Sequence, residues 1–309
     1  QVLVHGGAGD NPEAPNARAN VLETAASTGA AESTPIDAVE AALRVLEGDD
    51  RFNAGVGGSV QTDGIARTDA GVMTSDRTVG AACGMPGVEA AVSVARAVLE
   101  KTPHVLIAGV HAVDFAESVG IETDVALTTG TIQDRYDAAN VPESIDAQLV
   151  WLREEFGGTS AIPDGDGARD HDTVGAVAVE DGQLAAATSS GGRWLALRGR
   201  VGDVPQVGSG FYATPRGAAS TTGAGEDIAR MNLAHLAVDA LQTEPGAEAA
   251  AQAAIDRFVD VTDAPAGVIV ADPTGSLGSA HSSPAMQTAA AAIDLPSALK
   301  REAFGLNLP

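Results

Sequence analysis

The most constraining feature of this chain is a junction near its middle, where a polar, glycine-rich stretch runs without a turn into a segment that has to be buried. From Phe156 to Asp170 the residues are nearly all turn-forming or acidic, with no apolar periodicity. Such a composition predicts an exposed, flexible linker, taken here as 156–172. Directly after it comes Thr173-Val-Gly-Ala-Val-Ala-Val179, a β-branched and small-residue run suited to a buried strand. Any fold for this chain must place a loose tail against the start of a core strand.

The rest of the sequence supplies the layers around that strand. Thr34 to Glu40 combines an N-cap threonine, proline at the first helical position and early acids, followed by apolar residues at 36, 39, 43 and 46. This predicts an amphipathic helix. Further helices are expected over 88–100, 109–119, 226–241 and 247–259. Short β-branched runs predict strands over 1–5, 65–73, 78–83, 105–108, 173–180, 184–189 and 267–271. Glu180-Asp181-Gly182-Gln183 has the chemistry of a hairpin turn. Helices come in groups and strands in pairs, which points to a layered α+β fold. No repeat and no second boundary is visible, so a single domain over 1–309 is expected.

Composition excludes several functions. The 309 residues are 44% hydrophobic, enough for a sizeable core. No apolar run reaches eighteen residues, and Val2-Leu3-Val4 opens without a basic flank and apolar signal region. A cytoplasmic protein without a membrane partner is therefore expected. The 42 acidic and 18 basic residues give a net charge of −24, a field that repels nucleic acid. The lysines are Lys101 and Lys300 alone, and a surface rich in acid and poor in lysine predicts a halophilic protein whose self-repulsion is screened by salt. Cys83 has no partner for a disulfide and no cationic neighbour in sequence, so it is read as a small core residue. His104, His111, His171, His235 and His281 are scattered without metal-ligand spacing, and no catalytic metal is expected. Asp164 to Asp170 has the cadence of a calcium loop but reaches Gly175 where the closing Glu belongs, and reads as linker. There is no Walker motif, no strand-flanked GxGxxG and no Gly-x-Ser-x-Gly elbow, so no nucleotide or other cofactor is called for.

Thr173 is the residue with latent chemistry. A mid-chain threonine hydroxyl is a poor nucleophile because nothing local takes its proton. Were the bond after Asp172 cut, the new α-amine, with an ordinary pKa of about 7.7 to 8.0, would sit beside the hydroxyl as a built-in general base. On local sequence alone the simpler reading, a threonine that opens a strand, prevails.

A wider pattern changes that balance. His171-Asp-Thr-Val-Gly-Ala-Val-Ala is followed by Ala187-Thr-Ser-Ser-Gly-Gly192, Gly199-Arg-Val-Gly-Asp203 and Ser220-Thr-Thr-Gly-Ala-Gly-Glu226. Upstream stand His5-Gly-Gly-Ala-Gly9, Phe52-Asn-Ala-Gly55 and Ala95-Arg-Ala-Val-Leu-Glu-Lys-Thr-Pro-His104. In this order the motifs resemble the plant-type asparaginases and isoaspartyl peptidases, whose relatives are the glycosylasparaginases and taspases. These are N-terminal-nucleophile (Ntn) hydrolases.

The resemblance, which covers essentially the whole chain, implies a four-layer αββα sandwich, split by self-cleavage at Asp172–Thr173 into an α-subunit (1–172) and a β-subunit (173–309). It implies a homodimer of such αβ units. The implied roles are Thr173 as nucleophile, Ser190 as its hydrogen-bonding partner, and Thr222 with the Gly223 N–H as oxyanion hole. Arg200 would bind the substrate α-carboxylate and Asp203 the α-ammonium, Thr222 and Gly223 completing the substrate site. Asn53 and the Gly6-Gly7 segment would support the nucleophile, with a Na+ or K+ ion on backbone carbonyls near Leu46–Asn53. The substrate implied is a small amino acid or dipeptide: L-asparagine and β-aspartyl dipeptides.

Two departures keep rivals in view. Asp172 stands where plant-type asparaginases carry glycine, which resembles glycosylasparaginase, and Arg193-Trp194 follows the double glycine where small polar residues are usual. Trp194 is accordingly expected at the rim of the substrate site. A binder of acidic amino acids that never cleaves itself, using Arg200 and Asp203, is the alternative outside the enzymes.

Overall fold

The computed structural model of the chain describes residues 1–12, 14–156 and 173–292. The expected linker beyond Phe156, and with it Asp172 and His171, lies outside the described residues. In chain order the elements begin β1 (Val2–Gly9), α1 (Pro15–Ala30), α2 (Pro35–Glu47), β2 (Arg67–Thr74), β3 (Val79–Pro86), α3 (Ala91–Lys101) and β4 (Leu106–Ala108). They continue with α4 (Val110–Ser118), α5 (Gly130–Ala138), α6 (Ile145–Phe156), β5 (Val174–Glu180), β6 (Gln183–Ser190), β7 (Phe211–Thr214) and β8 (Gly217–Gly223). The last are α7 (Gly225–Met231), α8 (Leu233–Ala240), α9 (Ala247–Val259), β9 (Ala266–Ala271), β10 (Leu277–His281) and β11 (Ala285–Ala291).

The strands form two sheets. One has seven strands in the order β11-β1-β5-β6-β2-β3-β4, the other four in the order β10-β9-β8-β7. One apolar cluster joins Leu22, Val39, Leu43, Val92 and Val94 of the first helices to Val4, Val72, Val174 and Ala187 of the large sheet. A second joins Leu3, Val177, Leu184 and Met73 of that sheet to Phe211, Ala218 and Ile269 of the small one. A third lays Leu233, Val238, Ile255 and Phe258 of α8 and α9 on the outer face of the small sheet. The result is the expected αββα order, an α+β Ntn-hydrolase architecture in which each sheet has helices behind it and the other sheet in front.

Covering on both faces explains the unbroken apolar reading of β5. Val174, Ala176 and Ala178 face the helices, while Val177 and Val179 face the second sheet. The β5–β6 hairpin closes as the turn residues predict, with Asp181 and Gly182 both at positive φ (48° and 76°), the requirement of a type I′ turn.

Several elements differ from the sequence-based expectation. The helix expected over 226–241 is two helices, broken where Asn232 takes a left-handed conformation (φ 52°, ψ 54°), which asparagine tolerates better than most residues. The strand expected over 1–5 runs further: β1 continues through the glycine segment to Gly9, with an irregular register between His5 and Ala8. Phe156, the expected first linker residue, ends α6. Cys83 is buried as expected, and burial raises its thiol to about 12. Among the described residues no helix is long and apolar enough to cross a membrane.

Candidate active site

The strand period fixes which side chains meet. Thr173 precedes β5 in phase with Val177 and Val179, and Ser190 ends β6 in phase with Leu184 and Ala186, so both look between the sheets. Thr173 Oγ1 donates to Ser190 Oγ at 3.1 Å, and the Gly192 N–H donates to the same oxygen at 3.0 Å. Ser190 therefore fixes the direction of the threonine hydroxyl, and both residues are buried at the base of a small cleft.

The cleft wall opposite is made by the end of β8. Gly223 lines it at φ 131°, and a Cβ there would lie 2.4 Å from the Pro265 carbonyl, so the position takes only glycine. Thr222 is 1% exposed and takes the Ala8 N–H on its Oγ1 at 3.3 Å, which ties the expected oxyanion residue to the glycine segment of β1. Thr222 sits behind Gly223 and is not among the residues that line the cleft.

Arg200 and Asp203 both line the cleft, on the loop between β6 and β7. Among the described residues they do not form an ion pair with each other. Arg200 Nε instead donates to Glu226 Oε1 at 2.8 Å, at the start of α7, and Arg193 approaches the other oxygen of Glu226 at 3.7 Å. Burial pulls the Arg200 pKa down, but the Glu226 hydrogen bond and the charges of Glu226, Asp203 and Asp69 outweigh it and hold the guanidinium above its ordinary value. Glu226 is raised by burial and more than compensated by Arg200, ending below the ordinary carboxylate range. A Cβ on Gly225 would stand 2.6 Å from Asp203 Oδ1 and 2.8 Å from Arg200 Nη2, so the missing side chain there leaves room between a cation and an anion. Burial pushes Asp203 up to about 7, with Arg200 opposing. A cation and an anion flanking one small space can read the two charges of an amino acid head group.

Asn53 Nδ2 donates to the Gly192 carbonyl at 2.6 Å, its Oδ1 takes the Ser59 N–H at 2.8 Å, and its own carbonyl takes the Gly191 N–H at 2.8 Å. This pins the double glycine beside Ser190. Arg18 stacks on the Phe52 ring, 4.5 Å from its centre, and donates to the carbonyls of Gly6 and Arg51, joining the β1 segment that holds Gly6 and Gly7 to the 51–55 loop. In the loop near Leu46–Asn53 the carbonyls of Leu46, Glu47, Asp49, Arg51 and Asn53 each accept a hydrogen bond. Each keeps a second lone pair, and hard carbonyl oxygens are the donor type a Na+ or K+ ion takes.

His5 lies under the site. Its Nε2 is 3.0 Å from Ser220 Oγ, which is 2.6 Å from Thr188 Oγ1. Burial drives its pKa down to about 3, so the ring is neutral.

Sequence reasoning missed Asp69, Glu226 and Arg193. Asp69, which lines the cleft and is raised by burial to about 6, was detectable as an acid in the middle of the expected strand 65–73. Glu226 had the signal of an acid in a first helical turn. Trp194 is a correction: it is not at the rim but 7% exposed, packed with Val60, Leu127 and Ile132 under Arg135, whose guanidinium lies 4.1 Å from the ring centre. Its neighbour Arg193 reaches the cleft instead.

The family described as Asparaginase matches residues 1–296. The plant-type L-asparaginase of Pyrococcus furiosus is 35% identical, over 93% of this chain and 95% of its own length. The isoaspartyl peptidase/L-asparaginase of Mus musculus is 36% identical, over 94% of this chain and 87% of its own. The plant-type L-asparaginase of Pyrobaculum calidifontis is 36% identical, over 92% and 94%. With a matching family across its length, a hydroxyl pair at the end of two core strands and a charged cleft beside it, the chain belongs to the plant-type asparaginase and isoaspartyl peptidase family of hydrolases.

Proposed function

We propose that this chain hydrolyses the β-carboxamide of L-asparagine and the β-peptide bond of β-aspartyl dipeptides, after cutting its own backbone between Asp172 and Thr173. The observation that carries the reading is the 3.1 Å hydrogen bond from Thr173 to Ser190 at the base of a cleft that also presents Arg200, Asp203 and Gly223.

The chemistry follows from those positions. With the backbone cut, the Thr173 amine takes the proton of its own Oγ as that oxygen attacks the β-carbonyl carbon. Charge moves to the carbonyl oxygen, stabilised by the Gly223 N–H and, once its side chain turns from Ala8 toward the cleft, by the Thr222 hydroxyl. The intermediate collapses with loss of ammonia, or of the second amino acid of a dipeptide, which receives the proton from the amine. A water molecule, deprotonated by the same amine, attacks the β-aspartyl ester and frees L-aspartate and Thr173. Arg200 and Asp203 hold the head group still throughout, which removes the entropic cost of alignment from the reacting step. A Na+ or K+ ion on the 46–53 carbonyls would stiffen the Asn53 loop that positions Ser190, and has no part in the bond changes.

N-terminal sequencing of active protein tests the reading: a chain beginning Thr-Val-Gly-Ala is expected. Active material that is entirely uncut refutes it. Assaying L-asparagine beside a β-aspartyl dipeptide and a β-linked N-acetylglucosaminyl asparagine then ranks the leaving groups. Turnover of the glycosylated compound alone assigns the chain to the glycosylasparaginase activity instead.

A further inference from the structure

We propose that Asp69 is a specificity-determining residue, a second anion for the substrate's α-ammonium, so that the amino group lodges between Asp69 and Asp203 while Arg200 takes the carboxylate. The inference rests on the amidohydrolase reading above and extends it to a residue that no motif marked.

Sheet register carries the first part of the argument. In the order β5-β6-β2, Val174 pairs with Ser189 and Ser190 pairs with Asp69. Thr173, Ser190 and Asp69 therefore follow one another across three adjacent strands on one face, where directly opposed side chains are about 5 Å apart. The nucleophile, its orienting hydroxyl and a carboxylate form a row along the base of the cleft, and all three line it.

The local backbone is built to present that carboxylate. Between β2 and β3 the register slips at this point: Thr68 pairs with Met85 but Ala70 pairs with Ala82, so Cys83 and Gly84 stand opposite Asp69 alone. Gly84 takes φ 65°, the left-handed residue of a bulge, and its N–H donates to Asp69 Oδ1 at 2.7 Å. Bulges of this kind re-aim a side chain. The bond fixes one oxygen, and the other has no hydrogen bond or ion pair among the described residues, although Asp69 is only 4% exposed. Asp69 lines the cleft, and a carboxylate oxygen that the protein leaves without a partner there is complementary to a donor that enters from the cleft.

Charge says what the donor is. Asp69 adds to the upward push on Asp203, and the Arg200 charge relieves both. An ammonium between them removes that repulsion and brings three N–H donors, enough for both carboxylates and one further acceptor. The substrate class selected is a β-amide or β-peptide of aspartate with a free, protonated α-amino group. N-acylated and des-amino analogues leave two carboxylates of the cleft without a counter-charge and are poor substrates.

The test compares L-asparagine with succinamic acid, which lacks the amino group, on wild type, Asp69→Asn and Asp203→Asn in the full-length protein. For Asp69→Asn we expect kcat/KM on L-asparagine to fall about 10- to 100-fold, mostly in KM, with the low rate on succinamic acid unchanged within about threefold. Asp203→Asn is expected to show the same selective loss. Equal losses on both substrates mean a merely structural residue and overturn the inference, as does an unchanged KM for L-asparagine. Should wild type hydrolyse neither compound, the amidohydrolase reading has failed, and calorimetry with L-aspartate and succinate decides this one separately. Selective weakening of L-aspartate in Asp69→Asn supports it, and equal affinities or no binding to wild type overturn it. Asp69→Ser, which keeps an acceptor for Gly84, takes the place of an asparagine variant that does not fold.

Discussion

Ser189 and Ser190 are consecutive on β6 and face opposite ways, and the two sides they serve are built differently. Behind the sheet Ser189 donates to Glu47 Oε1 at 2.6 Å, the Val92 N–H donates to the same oxygen at 2.9 Å, and Arg44 reaches Oε2 at 3.3 Å. Glu47 is fully buried, and both its oxygens are engaged. In front of the sheet Ser190 orients Thr173, and the nearby acid Asp69 receives a single donor. Both acids are pushed up by burial, Glu47 to about 7 and Asp69 to about 6. The difference teaches where a ligand belongs: acids that only brace the fold have their oxygens saturated by protein, while acids at a site keep capacity in reserve.

Substitutions can break this contrast. Thr173→Ala should abolish turnover, by about 10⁴-fold or more, and leave a chain of full length on a denaturing gel; residual activity near the wild-type level overturns the assignment of the nucleophile. Ser190→Ala should lower kcat by about 10²-fold with little movement in Tm, since its oxygen serves Thr173 and one backbone N–H. If instead Tm collapses while kcat survives, the front of the sheet is structural after all.

Behind the sheet the expected readout is stability. The ordinary pKa of a glutamate, 4.5, is raised to about 7 in the fold. The folded state therefore holds a proton there that the unfolded chain has released, so this contribution is present below about pH 4.5 and is lost as pH rises through about 7. Melting curves from pH 5 to 8 should show wild type losing stability, by up to about 3 kcal/mol from this group, and Glu47→Gln should flatten the slope. An identical slope in the variant removes Glu47 as its cause. Ser189→Ala, which takes one donor from Glu47, should cost about 1–2 kcal/mol and leave kcat within a few-fold. A large loss of kcat with unchanged Tm would erase the distinction between the two serines.

The layered architecture was legible from local signals, whereas the cleft residues were legible only through the order of several motifs that resembles a known family, since on local sequence alone Thr173 reads as a strand opener. Val174 to Val179 could be read as a strand buried on both faces, and Thr173, Ser190, Arg200, Asp203, Asn53 and Gly223 stand in motifs with recognisable order. What escaped depends on register and on small residues. Asp69 becomes a cleft residue only through pairing with Ser190 and the bulge at Cys83 and Gly84, neither of which a single strand reveals. The helix α1 buries Arg18, Leu22, Ala25, Ala26, Gly29 and Ala30, a face of one large aliphatic and several small residues that gives no apolar stripe. The strand β7 is only four residues long, and β8, β10 and β11 are rich in Ala, Gly, Ser and Thr, so their pattern does not stand out from that of loops.

The strand order has a mechanical consequence. β1 lies between β5 and β11, while β6 lies against β2, so segments from before and after residues 157–172 alternate across one ladder of hydrogen bonds. Severing the covalent thread anywhere between α6 and β5 would leave every rung of that ladder in place. The two pieces would be zipped along three separate seams, would melt in one cooperative step, and would come apart only when the entire core is lost.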